Sequence, residues 1–372
     1  MNPLLKWPGG KSGEINKIEK YIPSYTRYVE PFFGGGALFF HLNPQKAAIN
    51  DKSRLLIDFY KLIKNQDLLL YDLLLCYNNS FTNLLRVCDN NYLDILNLYN
   101  KLSTNEISKK ELEQQLFEIL SSLSDKINFG FSEKLLLDDN LFTKKICEAA
   151  TDKIQRTIKN NEKAPFHAAD LKENLITGFA SGYYMYFRDI YNALNLNRIQ
   201  SPSLQYKIAN FCFIREYCYG SMFRYNKNGE FNIPYGGMSY NKKNFKDKIE
   251  KMFSKDIQDI FINTDIDCMD FEDFFHKANL TENDFMFLDP PYDTDFSSYE
   301  GVDFTKDDQA RLAYSLTKTA APFILVIKNT DFIHSQYKDR FNILSFDNQY
   351  TYNVRSRNDR NVEHLLITNL PV

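Results

Sequence analysis

Tyr28-Val29-Glu30-Pro31-Phe32-Phe33-Gly34-Gly35-Gly36-Ala37-Leu38-Phe39-Phe40-His41-Leu42 is the stretch that decides the fold. A short strand-forming run meets a proline, three glycines follow, and an apolar helix-forming run closes the segment. Strand, glycine-rich turn and helix in that order open a Rossmann-like unit, where glycine lets the backbone approach a ligand at a helix N-terminus. The full G-x-G-x-x-G fingerprint fails, because Phe39 stands where the third glycine belongs. That argues against a bound pyrophosphate and leaves room for a ligand without one. Ala47-Ala48-Ile49-Asn50 reads as a second strand ending at Asp51, 17 residues after Gly34. An acidic residue about 20 positions past the glycines is where ribose hydroxyls are gripped.

Outward from this core the pattern changes. From about Leu55 to Leu194 the chain is helix-like, rich in Leu, Lys, Asn and Glu. Tyr206 to Tyr240 returns to aromatics and turn signals, with Asn228-Gly229, Pro234 and Gly236-Gly237 predicting a helix and then a hairpin. The α/β pattern then resumes. Phe285-Met286-Phe287-Leu288 and Pro322–Ile327 read as buried strands, and Phe341–Phe346 and His364–Thr368 as two late ones. The expected division is a discontinuous catalytic domain, 1–56 and 264–372, split by an inserted domain over 57–263. Within the insertion, about 75–180 is an extra helical segment.

The chain has 372 residues, 45 Lys+Arg against 48 Asp+Glu, a net charge of −3, 44% apolar and 15% aromatic residues. These values exclude a globally basic nucleic-acid coat protein and fit a globular protein with ample core. Charge is segregated, however. Tyr206–Lys251 carries nine Lys/Arg against four Asp/Glu, whereas Asp256–Asp308 carries sixteen acids against two lysines. A basic stretch interleaved with Tyr and Phe suits a phosphate backbone with stacking platforms, although two solvated faces would have the same composition. No run reaches the roughly 18 apolar residues of a membrane span. Six cysteines form no C-x-x-C pair and no zinc spacing with the five histidines, so a metal-free, cytoplasmic protein is expected.

The sharpest chemical signal is Asp289-Pro290-Pro291-Tyr292 directly after an apolar strand. Two prolines fix the backbone. Such a turn can aim the Asp289 carboxylate and the Pro290 carbonyl at one exocyclic amine, with Tyr292 as a stacking face. Near the N-terminus, Lys6-Trp7-Pro8-Gly9-Gly10-Lys11-Ser12 evokes a phosphate-binding loop, but Leu5 occupies the place of its first glycine. A ligand loop of another kind remains.

These motifs, in this order, resemble the Dam-like, D12-class DNA N6-adenine methyltransferases. The likeness rests on Lys6–Lys11, Val29–Gly36, Asp51 and Asp289–Tyr292. It extends to Phe223–Gly236 as a recognition hairpin, Tyr184–Asp189 as a Tyr-rich helix, and Phe304-Thr305 after the catalytic turn. It spans roughly 1–65, 183–252 and 264–372. The resemblance implies a class I methyltransferase sheet with an antiparallel final strand and a large, mainly helical target-recognition insert. It further implies S-adenosylmethionine as donor and a flipped adenine in double-stranded DNA as acceptor.

By the same resemblance, Trp7, Lys11, Glu30, Pro31, Phe32, Gly34, Gly36, Asp51, Asp270, Phe271 and Asp289 would bind the cofactor. Asp289, Pro290, Pro291 and Tyr292 would carry the chemistry, with Phe296 or Tyr299 covering the other face of the base. DNA would meet Lys11, Tyr219, Met222, Arg224, Asn226 and Pro234, with Lys242, Lys243, Lys246, Arg355, Arg357 and Arg360 as phosphate contacts. The chain departs from the family where Tyr219-Gly220-Ser221-Met222 replaces Tyr-Asn-Gly-Leu and Arg215-Glu216 replaces Asn-Arg, so a GATC target is not implied. The insert is expected to read a longer site or to serve as a structural or dimerisation element. Two alternatives stay open at this level: N4-cytosine methylation, since the turn serves any ring amine, and an inert DNA-binding protein. Any restriction endonuclease would be a separate chain, and the protein a monomer or weak dimer.

Overall fold

The computed structural model describes residues 1–128, 131–135, 137–292, 304–349 and 361–371. The chain forms two compact units: Met1–Gln66 together with the chain from Met252 onward, and Asp67–Lys251 between them.

Seven strands build the sheet of the first unit: β1 (Arg27–Glu30), β2 (Ala47–Asn50), β3 (Thr264–Asp267), β4 (Asp284–Leu288), β5 (Phe323–Lys328), β6 (Asn342–Gln349) and β7 (Asn361–Thr368). Their order is β3-β2-β1-β4-β5-β7-β6. The first five run parallel, while β7 lies antiparallel to both β5 and β6. β1, β2, β4 and β5 are almost wholly buried, as expected of parallel strands covered on both faces. One face packs Phe271, Phe274, Leu312, Leu316 and Ile333 from helices onto Val29, Met286 and Leu325. On the other, Phe39, Phe40, Tyr60 and Phe261 cluster, with Phe40 edge-on to Phe39 and Phe261, and Phe39 tilted against Phe261 at 5.6 Å.

Chain order reverses between β1 and β4, which pair as Val29 with Met286. In open α/β sheets ligands bind outside the carboxyl ends of strands at such a switch point. The glycine turn follows β1 and the Asp-Pro-Pro-Tyr turn follows β4, so topology alone makes them neighbours. At the opposite end of this strand pair, Arg27 grips Asp284 through Nε at 2.9 Å and Nη2 at 2.8 Å. That fork fixes the register on which the two turns depend.

The second unit is helical, with long helices at Leu68–Asn90, Asp139–Lys163, Ala168–Asn195 and Leu204–Tyr217. Asp67, Asp138 and Ser203 each cap a helix through a side-chain oxygen. A Cβ added at Gly182 would lie 2.5 Å from the Ile146 Cα, so glycine is required where helices 139–163 and 168–195 touch. Much of the aromatic excess sits here, in a core of Tyr77, Phe81, Phe142, Tyr183, Phe187, Phe213 and Tyr217. After helix 204–217, antiparallel pairings Cys218 with Tyr235 and Tyr225 with Phe231 form the hairpin. Helix 168–195 backs it: Tyr184 and Arg188 donate to the Ile233 carbonyl, Asn192 bonds both backbone groups of Phe231, and Tyr191 meets Tyr225.

Candidate active site and DNA-facing residues

At the end of β1 the chain turns through Gly34, with φ at +48°, and Gly36, with φ at +64°, into helix Ala37–Leu42. A Cβ at Gly34 would lie 2.8 Å from the Trp7 Cδ1, so the indole rests directly on the turn. The turn is tied from two further sides. The Gly34 N–H donates to Asp51 Oδ2 at 2.8 Å, and the Tyr60 hydroxyl donates to the Gly34 carbonyl at 3.3 Å. Asp51 follows β2 and also accepts from the Ser53 N–H at 2.9 Å. Burial raises its carboxyl while these backbone donors lower it, leaving it above the ordinary value. Glu30 is buried beneath the turn with the Tyr28 hydroxyl donating to it at 2.8 Å, and burial holds its carboxyl far up.

Across the same cavity lies Asp289. Its Oδ1 is 2.5 Å from the Lys11 ammonium, which also donates to the Tyr292 hydroxyl at 2.8 Å and the Gly9 carbonyl at 3.0 Å. Burial pushes the Asp289 carboxyl up and Lys11 pulls it back, with a net rise. Gln309 Nε2 donates to the Pro291 carbonyl at 2.8 Å, one of few handles on a turn whose prolines carry no N–H. The cavity is lined by Trp7, Lys11, Glu30, Phe32, Gly34, Asp51, Asp270, Phe271 and the whole 289–292 turn, with Phe304 and Asp308 completing the wall.

At the far wall Asp270 caps helix Phe271–Ala278 through the Glu272 N–H, and both of its oxygens lie 3.2 Å from the Arg311 guanidinium. Burial raises its carboxyl, but Arg311 and the cap bring it below the usual range. Arg311 also holds Asp308 and Glu272 and lies over the Phe271 ring. Phe32, Phe271 and Phe304 form an aromatic trio at 5.6–5.9 Å. Sequence reasoning missed Asn50, Asp308 and Arg311. Thr305-x-x-Asp308 is a readable capping box, and both its bonds form. Asn50 bonds Pro31 and Met269, joining β2 to both flanking turns.

The expected DNA contacts differ in exposure and pairing. Lys11 is 2% exposed with its ammonium bonded inside the cavity, so it does not present itself at a surface. Lys243 is tied to Glu216 and lies 3.6 Å over the Tyr240 ring. Lys248 pairs with the same carboxylate, and Arg215 is buried against Phe223, so three of the nine basic residues over 206–251 are paired or buried within the unit. Asn226 closes its own turn, accepting from the Asn228 and Glu230 N–H groups and donating to Glu230. Tyr219, Arg224, Pro234 and Lys242 are exposed, and Met222 is half-buried. The Arg224 Nε donates to Asn232 Oδ1 at 3.0 Å, while Lys242 lies 3.4 Å from Glu173. Phe296, Tyr299, Arg355, Arg357 and Arg360 lie outside the described residues.

All six cysteines are thiols, and no cluster of metal-ligating side chains occurs among the described residues. None of the described helices is long and apolar enough to cross a membrane.

A family profile described as D12 class N6 adenine-specific DNA methyltransferase matches residues 7–174 and 126–352. The chain is similar to the type II methyltransferase M.CviBI of Paramecium bursaria Chlorella virus NC1A, 24% identical over 373 residues that cover 99% of this chain and 100% of that protein. It is 28% identical over 358 residues to the type II methyltransferase M.MjaIII of Methanocaldococcus jannaschii, covering 92% and 90% of the two. Similarity to a DNA adenine methylase of Vibrio cholerae is 23% over 340 residues, 90% of this chain and 83% of the other.

Proposed function

The chain belongs to the D12 class of N6 adenine-specific DNA methyltransferases, and on that premise we propose that S-adenosylmethionine is its methyl donor and that Asp289, Pro290 and Tyr292 handle the target adenine. Its reaction is site-specific methylation of adenine in DNA. The cytosine alternative falls with the family, and so does the inert binding protein. The observation that carries the site assignment is the pairing of β1 with β4, which makes neighbours of the glycine turn and the Asp-Pro-Pro-Tyr turn.

The residues present fit the donor. Glu30, Asp51, Asp270, Asp289 and Asp308 border the cavity, while its lysines Lys11 and Lys52 face Asp289 and Asp270. An acid-rich, aromatic-lined cavity suits a cationic nucleoside and repels a polyphosphate. Asp51 would take the ribose hydroxyls with the lone pairs its backbone donors leave unused. Asp270 would accept from the adenine amine, and Phe32, Phe271 and Phe304 would contact its ring. When bound, the donor supplies an electrophilic sulfonium methyl group.

An aromatic amine is a poor nucleophile while its lone pair is delocalised into the ring. Asp289 and the Pro290 carbonyl, both acceptors, would bind the two N6 hydrogens and favour a pyramidal nitrogen. Lys11 sits on Oδ1, which leaves Oδ2 for the amine and favours the ionised form against the effect of burial. Tyr292 would stack on the flipped base, offsetting the few kcal/mol lost on unstacking it from the duplex. The exposed Arg224 fork is suited to a guanine edge, a contact worth about 1–3 kcal/mol. Tyr219 and Pro234 would meet bases and Lys242 the phosphates, with residues 67–251 serving target recognition. A cognate endonuclease would be a separate chain, and the enzyme would act as a monomer or weak dimer in the cytoplasm.

The test is expression in a host without adenine methylation, followed by modification-aware sequencing. N6-methyladenine at one sequence motif is expected. Asp289→Asn should abolish it while donor binding in a titration persists; retained methylation would overturn the assignment.

A further inference from the structure

We infer that Glu14 and His364 are positioning residues for the methyl-transfer site: buried and paired outside the cavity, they brace Tyr292 from behind. The inference rests on reading Asp289-Pro290-Pro291-Tyr292 as the catalytic turn. His364 sits on β7, fully buried, and its Nδ1 lies 3.0 Å from Glu14 Oε2, whose side chain is 7% exposed. A carboxylate only accepts, so Nδ1 carries the proton and the imidazole is held in one orientation. That ring meets Tyr292 edge to face, with centroids 5.6 Å apart and planes at 70°. Glu14 in turn closes the short 3-10 turn Lys11–Gly13, donating its N–H to the Lys11 carbonyl at 2.8 Å. Lys11 returns to Tyr292 through the hydroxyl. The four residues thus form a closed circuit: Lys11 fixes the hydroxyl end of Tyr292, His364 fixes its ring, and Glu14 fixes both Lys11 and His364.

Neither Glu14 nor His364 borders the cavity, so neither touches donor or base. Their position nevertheless answers a mechanical need. The catalytic turn contains two prolines and so has little backbone hydrogen bonding of its own. A stacking ring that leans by an ångström misplaces the amine, and displacements of that size cost up to about 10²-fold in rate. A buried polar pair is a weak source of net stability compared with an apolar pair of the same volume. Its value here is direction: it links the first and last segments of the fold behind one tyrosine.

The test uses the full chain and a duplex carrying the sequenced target motif, with 2-aminopurine replacing the target adenine in one set. Two variants cut the circuit independently. Glu14→Leu with His364→Phe keeps volume and an aromatic edge but removes the polar pair. His364→Gln keeps a donor for Glu14 but removes the ring. Each is first checked for cooperative melting, and either one alone decides if the other fails to fold. Donor affinity should stay within about twofold of wild type. Single-turnover methylation should fall roughly tenfold or more, with brighter 2-aminopurine emission because the base no longer stacks firmly. Glu14→Gln, which still accepts from Nδ1–H, should restore both readouts. Wild-type rate and emission in both cutting variants, or a Glu14→Gln as defective as they are, would overturn the inference. Tyr292→Ala runs alongside. If it methylates normally, the catalytic-turn reading has failed; if it is crippled while the cutting variants are not, only the brace has failed.

Discussion

Replacing Lys11 with methionine deletes one charge of a largely buried pair. Lys11 is 2% exposed and Asp289 19%, with Nζ 2.5 Å from Oδ1. Breaking a buried pair by removing one partner costs about 3–5 kcal/mol, since the remaining charge must be desolvated alone. At about 2–4 °C per kcal/mol, K11M should melt roughly 6–20 °C below wild type near neutral pH. The pH dependence has a definite sign. Burial already raises the Asp289 carboxyl and Lys11 restrains it, so its folded value lies above the unfolded one and protonation stabilises the fold. Without Lys11 it rises further, and the variant should recover stability as pH falls through that higher value, a recovery lost again as pH climbs. Calorimetric melting across pH 5 to 8, a range spanning about three decades of proton activity, measures this. K11M/D289N, with no charge left at the pair, should melt above K11M. A K11M that melts within about 2 °C of wild type, or a double variant no better than K11M, would refute the pairing. Methylation by K11M should drop on the order of 10²-fold, because Tyr292 loses its hydroxyl donor and Asp289 its ionising partner.

Two further expectations use Trp7, the sole tryptophan, as a fluorescent reporter. Gly34→Ala demands a Cβ 2.8 Å from the indole at a φ of +48°, so unliganded emission should shift as Trp7 moves and donor affinity should fall about tenfold, or 1.4 kcal/mol; unchanged emission and affinity would show the turn to be looser than described. Arg311→Met removes the fork that holds Asp270, Asp308 and Glu272, and donor affinity should weaken by roughly three- to tenfold while kcat at saturating donor and DNA is kept. A loss confined to kcat would place Arg311 elsewhere in the mechanism.

What the sequence made legible were residues whose backbone chemistry marks them. Glycines 34 to 36 and prolines 290 and 291 announce their turns without reference to any distant partner, and the strands around them follow from short apolar runs. Asp51 was readable because its spacing from Gly34 is set by one helix and one strand. The partners of these residues were not. Lys11 lies 278 residues from Asp289, and Glu14 lies 350 from His364. No local pattern distinguishes a lysine that will pair with a buried carboxylate from one destined for solvent.

The same limit explains the hairpin that follows helix 204–217. Nine basic residues over 206–251 read as an electrostatic footprint, but a count of charges is blind to pairing. Glu216 holds Lys243 and Lys248, and Phe223 lies under Arg215, so much of that charge is spent on building the unit. Asn226 is the instructive case, because a local rule could have found its role: asparagine two residues before a turn commonly bonds its own backbone, as Asn226 does with Asn228. Asn226 has Oδ1 and one N–H engaged in its own turn, which leaves it little to offer a base. Removing such residues from the candidates leaves exposed Tyr219, Arg224, Pro234, Lys242 and Lys246. Specificity is therefore to be sought in a few side chains on a hairpin that helix 168–195 holds in shape, and not in the net charge of the segment.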